Sequence, residues 1–163
     1  MYYSFLGKDS VMKMIIEKMK LVKKQLEQYG ETINDGASEK EIELFCMQIS
    51  KKLNIELPKS YLDFLKNVNG IEFNGYIVYG IDEEFCVNLP KQHINGFISN
   101  NLDWYDNEWL KKFIFFGDSD ISWYVFDTET NRYLELDKPS EEEMSAFSSF
   151  EEMIDKILDD MCI

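Results

Sequence analysis

The spacing of apolar residues changes from a helical to a strand period along this chain, and this change constrains the fold more than any other feature. Apolar residues recur at steps of three and four through most of residues 10–68. From residue 71 the pattern becomes short β-rich runs separated by turn residues, beginning with the hairpin pair Asn74-Gly75. Residues 148–161 return to helical spacing. This order predicts an α+β fold with an antiparallel-rich mixed sheet flanked by helices.

A single domain, residues 1–163, is expected to contain all of these elements. The length suits one core, and no linker, repeat or composition shift divides the chain. Residues 1–30 include a basic amphipathic helix, a type that can lie on membranes. Because this helix is short and belongs to an acidic protein, we expect it to pack on its own domain. Its apolar positions are Met12, Ile15, Met19, Val22, Leu26 and Tyr29.

Two helix starts carry the sequence of a capping box, in which a hydroxyl and a carboxylate satisfy each other's backbone amides. One is Ser38 with Glu41, and the other is Ser149 with Glu152. The helices and the sheet should share one core. We expect that core to bury Leu57, Tyr61, Leu65, Phe115 and Val125.

The formal net charge is -14, and nearly all of it lies in the second part of the chain. Residues 1–66 carry 11 basic and 10 acidic residues, whereas residues 67–163 carry 6 basic and 21 acidic residues. Such a surface repels the phosphate backbone of nucleic acids and favours a basic protein partner. The alternative, that the acidity only maintains solubility, stays open.

The cysteines and the hydropathy pattern indicate a cytoplasmic protein. Cys46, Cys86 and Cys162 are widely spaced and odd in number, which fits three free thiols better than a disulfide framework. No apolar run is long enough to span a membrane, and no signal peptide is evident. We therefore expect no membrane association.

Catalytic and metal-binding patterns are weak, so we expect no enzyme activity, catalytic residue, metal or cofactor. His93 is the only histidine and lies in no recognisable motif. The glycines stand singly, which excludes the usual phosphate-binding loops. Asp118, Asp120 and Asp127 are the remaining candidates, for a metal-assisted hydrolase. The favoured interpretation is that Asp118 and Ser119 cap backbone groups in a turn between two strands, as short polar side chains do.

One stretch combines large aromatic side chains with acids, a composition that suits a protein-binding surface. The alternative is that its tryptophans fold onto the sheet. With the nearby acids, the predicted contact residues are Asp82, Glu83, Glu84, Asp103, Trp104, Tyr105, Asp106, Glu108 and Trp109.

Several segments together resemble the SUKH superfamily, the group that includes the yeast cell-wall synthesis regulator. LPKSYLDFLKNVNG (57–70) resembles its signature, followed in the expected order by the hairpin, by IFFGDSDISWYVFD (114–127) and by SSFEEMIDKIL (148–158). YGETINDGASEKEIE (29–43) is similar to the YrhA-like bacterial branch. The match extends over about residues 15–160, although no single motif is specific without the others.

The resemblance implies a six-stranded or similar sheet flanked by helices. It also implies a bacterial immunity protein that binds and neutralises a cognate polymorphic toxin, such as a nuclease. The alternative role is a cytosolic adaptor or regulator of the cell-wall regulator type. The family has no established catalytic residues to carry over, and the resemblance does not indicate the oligomeric state.

Overall fold

The computed structural model describes residues 7–162, and this part of the chain contains five α-helices and six β-strands. The helices are α1 (Lys8–Gln28), α2 (Glu39–Lys52), α3 (Lys59–Asn67), α4 (Phe97–Trp104) and α5 (Phe150–Met161). The strands are β1 (Ile71–Phe73), β2 (Tyr76–Val78), β3 (Phe113–Ser119), β4 (Ser122–Asp127), β5 (Arg132–Asp137) and β6 (Glu143–Phe147). Two 3₁₀-helices, Glu83–Phe85 and Glu108–Lys112, flank α4. Residues 1–6 and 163, which the expected domain includes, lie outside the described residues.

The six strands form one sheet in the order β1-β2-β3-β4-β5-β6, and each neighbouring pair is antiparallel. The predicted hairpin turn joins β1 to β2, with Asn74 at φ 55° and Gly75 at φ 84°. Two adjacent residues with positive φ suit the right-handed twist of a hairpin. An isolated parallel bridge joins Gly80 to Gly96 outside the strands. The α+β class is confirmed, and the strand pairings are antiparallel throughout.

The apolar pattern does not predict β6, which forms one edge of the sheet. Its residues are exposed or half-buried, and the apolar residues Met144 and Ala146 are both exposed. An edge strand that packs few side chains needs no run of apolar residues. Pairing with β5 is therefore what makes β6 a strand.

Aromatic side chains fill the core where α3 and α5 meet the sheet. The rings of Tyr61, Phe116 and Phe150 contact one another, with centroids 5.1 to 5.4 Å apart. Of the five predicted core residues, Leu57 is only half-buried. The other four are buried as expected: Tyr61, Leu65, Phe115 and Val125.

A β-bulge in β3 directs two consecutive phenylalanines into different aromatic clusters. Phe115 pairs with Val125 and Gly117 with Tyr124, which leaves Phe116 as the extra residue. Phe116 joins the cluster beside α5, whereas Phe115 contacts Trp123 at 5.8 Å. This arrangement gives α4 an aromatic surface to pack on.

Helix α1 packs along α5. The Lys18 ammonium forms ion pairs with the carboxylates of Asp155 and Asp159 on α5. The buried side chains of α1 are Val11, Ile15, Met19, Val22 and Leu26. Within residues 7–162, no helix combines the length and apolarity that crossing a membrane requires.

One of the two predicted capping boxes forms completely. At α2, Glu41 N donates to Ser38 Oγ at 3.2 Å, and Ser38 N donates to Glu41 Oε1 at 2.9 Å. At α5, Ser149 Oγ accepts from Glu152 N, but the Glu152 carboxylate accepts from Ser148 instead. The prediction of a second complete box is wrong because Ser148 offers an amide and a hydroxyl to the same carboxylate oxygen.

Candidate functional site

Trp104 and Tyr105 anchor the end of α4 to the sheet. The Trp104 ring lies 5.4 Å from the Trp123 ring, and its Nε1 donates to the Tyr79 hydroxyl at 3.2 Å. The Tyr105 hydroxyl donates to the backbone carbonyl of Phe113 at 2.7 Å. These two predicted contact residues therefore pack inward, as the alternative interpretation of the tryptophans expected.

The other four predicted residues of this stretch face solvent. We call Asp103, Asp106, Glu108 and Trp109 the acidic surface. The Trp109 side chain is 62% exposed. Glu108 forms a short-range ion pair with Lys111 at 2.8 Å. Neither Asp103 nor Asp106 has a side-chain hydrogen bond or ion pair with any described residue.

A cleft of about 500 Å³ lies beside the Trp109 indole. It separates the second 3₁₀-helix from the turn between β4 and β5. Its lining residues are Glu108, Trp109, Lys111, Lys112, Thr128 and Glu129. A partner side chain that packs against the indole would have room to enter this cleft.

Asp82 is not a surface residue, contrary to the expectation that it belongs with the contact acids. It is 3% exposed, and its carboxylate accepts hydrogen bonds from the backbone amides of Ile98 and Ser99, both at 2.9 Å. The carboxylate thus satisfies the unpaired amides at the start of α4. A Cβ at Gly96 would collide with this carboxylate, which explains the glycine at that position.

Glu83 and Glu84 lie at the opposite end of α4 from the acidic surface. Glu83 accepts a hydrogen bond from the Ile94 amide at 3.0 Å and lies 3.2 Å from His93 Nδ1. Glu84 is exposed. The eight residues of α4 span about 12 Å. The predicted contact residues therefore form two groups and do not make one continuous patch.

The candidate hydrolase aspartates are used in separate local contacts. Asp118 accepts a hydrogen bond from the Tyr79 hydroxyl and forms an ion pair with Lys138 at 3.4 Å. Asp127 accepts from backbone amides of the β4–β5 turn, and Asp120 is exposed. The turn interpretation is thus wrong for Asp118 and right for Ser119, whose hydroxyl oxygen accepts from the Ser122 amide at 3.1 Å. In the part of the chain that the structure describes, no group of three or more His, Cys, Asp or Glu could hold a metal ion.

The thiols and the single histidine show no catalytic pairing. Burial and the nearby Glu41 carboxylate raise the pKa of Cys86 to about 11, so it is a neutral thiol at pH 7. Burial also raises the pKa of Cys46 and of Cys162. His93 is exposed, and its nearest charged partner is Glu83.

A second cleft, of about 850 Å³, lies between the end of α1, the β1–β2 hairpin and residues 91–93. Two of its charged groups already have partners: Glu72 accepts from Asn95, and Lys91 pairs with Asp35. The cleft is open and lined mainly by polar groups. It lacks the apolar lining that a small-molecule site usually has.

Sequence reasoning missed the almost fully exposed leucine, Leu89, that the loop over residues 86–93 presents. It also missed the buried polar side chains that hold this loop, because the sequence pattern around Glu41 indicates only its local role in a capping box. The Leu89-Pro90 pair within a polar stretch was the one available signal.

Comparison with known proteins identifies a family and a fold. A SUKH family model, described as SMI1-KNR4 cell-wall, matches residues 46–160. A crystal structure of a protein from Pseudomonas syringae pv. tomato is similar to this chain with a TM-score of 0.54 and 15% identity. That match covers 86% of this chain and 98% of the other. None of the curated proteins matches.

Proposed function

This chain belongs to the SUKH family, and from that premise we propose that it is a non-enzymatic protein-binding domain, specifically a bacterial immunity protein that neutralises a cognate toxin. The family match supports binding of a protein partner. The structure contributes a surface suited to that role, the acidic surface at the end of α4. The toxin as partner rests on the resemblance to bacterial SUKH members.

The observation that carries the proposal is the exposed indole of Trp109, close in sequence to the exposed carboxylates of Asp103 and Asp106, which have no side-chain partner among the described residues. A tryptophan offers a large, rigid contact area, and tryptophans are enriched among the residues that dominate binding energy. Asp103 and Asp106 favour a basic partner and would accelerate its encounter. Trp109 lies on the second 3₁₀-helix, and Asp103 and Asp106 lie on either side of Trp104 and Tyr105, which are fixed to the sheet.

The experiment is co-expression with the product of the adjacent gene, followed by co-purification and a growth assay. We expect a one-to-one complex and restored growth when that product is toxic alone. Trp109→Ala should reduce protection, whereas Leu21→Ala, which removes an exposed apolar side chain from α1, should not. A toxic neighbour that neither binds the chain nor is neutralised by it would contradict the proposal.

The alternative role is a cytosolic adaptor or regulator that binds a protein of its own cell. The cell-wall description of the matching family model favours it. Gene context separates the two roles: a toxin gene beside this one favours immunity, and a cell-wall or metabolic operon favours regulation.

A further inference from the structure

The loop over residues 86–93 carries an exposed apolar tip. Leu89 is 96% exposed and Val87 is also exposed. A single exposed leucine is common on protein surfaces and alone indicates nothing. The way in which the backbone of this loop is held distinguishes it from an ordinary loop.

Two buried polar side chains hold the loop on either side of its tip. Glu41, which is 3% exposed, accepts a hydrogen bond from the Val87 amide at 2.9 Å. Asn34, also buried, accepts one from the Gln92 amide at 2.7 Å. Glu41 lies on α2 and Asn34 lies in the connection between α1 and α2, and both side chains reach across to the loop backbone.

A third buried side chain, that of Asn69, completes the support. Its Oδ1 accepts from the Ile81 amide at 2.8 Å, before the loop begins. Its backbone carbonyl accepts from Asn34 Nδ2 at 3.1 Å, which orients the Asn34 amide group. Asn34 and Asn69 are therefore joined by a hydrogen bond, whereas Glu41 holds the loop separately through Val87.

This support fixes the loop before any partner binds. Burying a carboxylate or an amide is unfavourable unless its hydrogen bonds are made, and here two of those bonds are with amides of the loop backbone. Pro90 further restricts the backbone of Leu89. A loop that is already ordered loses less conformational entropy on binding, so its exposed leucine can contribute more to affinity.

Charge around the loop indicates the kind of partner. Residues 87–90 carry no charge, and the acids Asp35, Glu83 and Glu84 lie on both sides. Asp35 pairs with Lys91 of the same loop at 3.1 Å, so the acids outnumber the single lysine and the excess charge beside the tip is negative. The apolar tip suits an apolar pocket, and the flanking acids suit basic residues at its edge.

We propose that Leu89 is a preorganised anchor that enters an apolar pocket with a basic rim on the protein partner. The inference rests on the proposed function, because it assumes that the chain works by binding a protein. It adds a second contact element, separate from the acidic surface, and specifies a feature of the partner.

The binding test uses the purified product of the adjacent gene, in a catalytically inactive form, and titration calorimetry. We expect Leu89→Ala to weaken binding by about 30-fold, the loss typical of a hot-spot side chain. Leu21→Ala, the same change at an exposed site on α1, should alter affinity by less than about twofold. If wild type binds and Leu89→Ala binds with the same affinity, the inference about Leu89 is overturned and the proposed function stands. Absence of wild-type binding would contradict the proposed function and remove the inference with it.

A second measurement tests the rigidity of the loop in the free chain. Amide relaxation should give order parameters of about 0.85 for residues 87–89, like the core strands. Glu41→Gln should lower these values, because a neutral amide accepts more weakly from the Val87 amide. Values below about 0.6 in wild type would overturn the inference independently of any partner.

Discussion

At the scale of single residues, Glu41 joins two parts of the molecule that are distant in sequence. One carboxylate oxygen accepts from Ser38 N at the start of α2, and the other accepts from Val87 N in the loop. Burial opposes its ionisation, but these donated hydrogen bonds hold the pKa of Glu41 below its usual value. The ionised form is therefore the one that stabilises the fold.

Glu41→Gln should reduce the free energy of unfolding at pH 7 by about 1–3 kcal/mol, because a buried charged acceptor is weakened at two sites. The pKa of Glu41 is lower in the folded state than in the unfolded state. Its contribution to the free energy of unfolding is therefore present above the unfolded-state pKa of about 4.3, and it is lost as the pH falls through the folded-state pKa. Chemical denaturation between pH 5 and pH 3 should therefore show a shallower pH dependence for Glu41→Gln than for wild type.

The exposed Glu43 on the same helix provides the control for this prediction. Glu43→Gln should follow the wild-type pH dependence. Identical pH dependence for wild type and Glu41→Gln would show that the Glu41 carboxylate has no special stabilising role.

The sequence identified the α4 segment as distinctive but could not sort its side chains. Trp104 and Trp109 lie five residues apart among similar neighbours, yet one packs against Trp123 and the other is exposed. The difference depends on contacts with β3 and β4, which are remote in sequence. Asp82 was misjudged for the same reason, since its hydrogen-bond partners lie 16 and 17 residues further along the chain.

At the scale of elements, α4 depends on a cap from outside its own segment. Its N-cap residue, Gly96, has no side chain to accept from the first amides, and Asp82 supplies the acceptor. Because the acidic surface begins with Asp103 at the other end of α4, this cap also helps to position the residues proposed to bind a partner.

Asp82→Ala should lower the free energy of unfolding by about 1–3 kcal/mol, because it removes a cap and leaves buried amides unsatisfied. Glu84→Ala, two residues away and exposed, should change it by less than about 0.5 kcal/mol. Urea denaturation of both variants makes the comparison. Equal stabilities would mean that Asp82 does not hold α4.

Helix α1 lies outside the residues that match the family model, yet it contributes buried side chains to the core. Leu26→Ala should destabilise the chain by about 2–5 kcal/mol, because the side chain is fully buried. Leu21→Ala on the same helix should have little effect, since that side chain is 55% exposed. A similar loss of stability in both variants, measured by thermal unfolding, would contradict the packing of α1 on the domain.

Most elements could be predicted because their local patterns agree with the final packing. The period of three and four in α1, the Asn-Gly turn and the Ser38 cap are all local signals. The strand β6 and the partial cap at α5 could not be predicted, because each depends on a neighbour. For β6 that neighbour is β5, and for Glu152 it is the choice between two adjacent serines.

At the scale of the whole molecule, the negative charge favours a basic partner but does not locate its contact surface. Acidic residues of 67–163 are distributed among buried caps, ion pairs and exposed positions. Asp106 and Glu108 are exposed beside Trp109, whereas Asp82 and Asp118 are used within the fold. The test should therefore compare variants that change the net charge equally but at different positions.

The most direct test measures association kinetics with the purified product of the adjacent gene at several salt concentrations. The double variant Asp106→Lys/Glu108→Lys is compared with Glu43→Lys/Glu56→Lys, which changes the net charge equally at exposed acids elsewhere. If the acidic surface is the contact site, the first variant should associate at least about tenfold more slowly, and its association rate should depend less on salt. The second should differ from wild type far less, and both should keep the wild-type melting temperature within a few degrees. Folded variants that associate at equal rates would contradict the assignment of this surface.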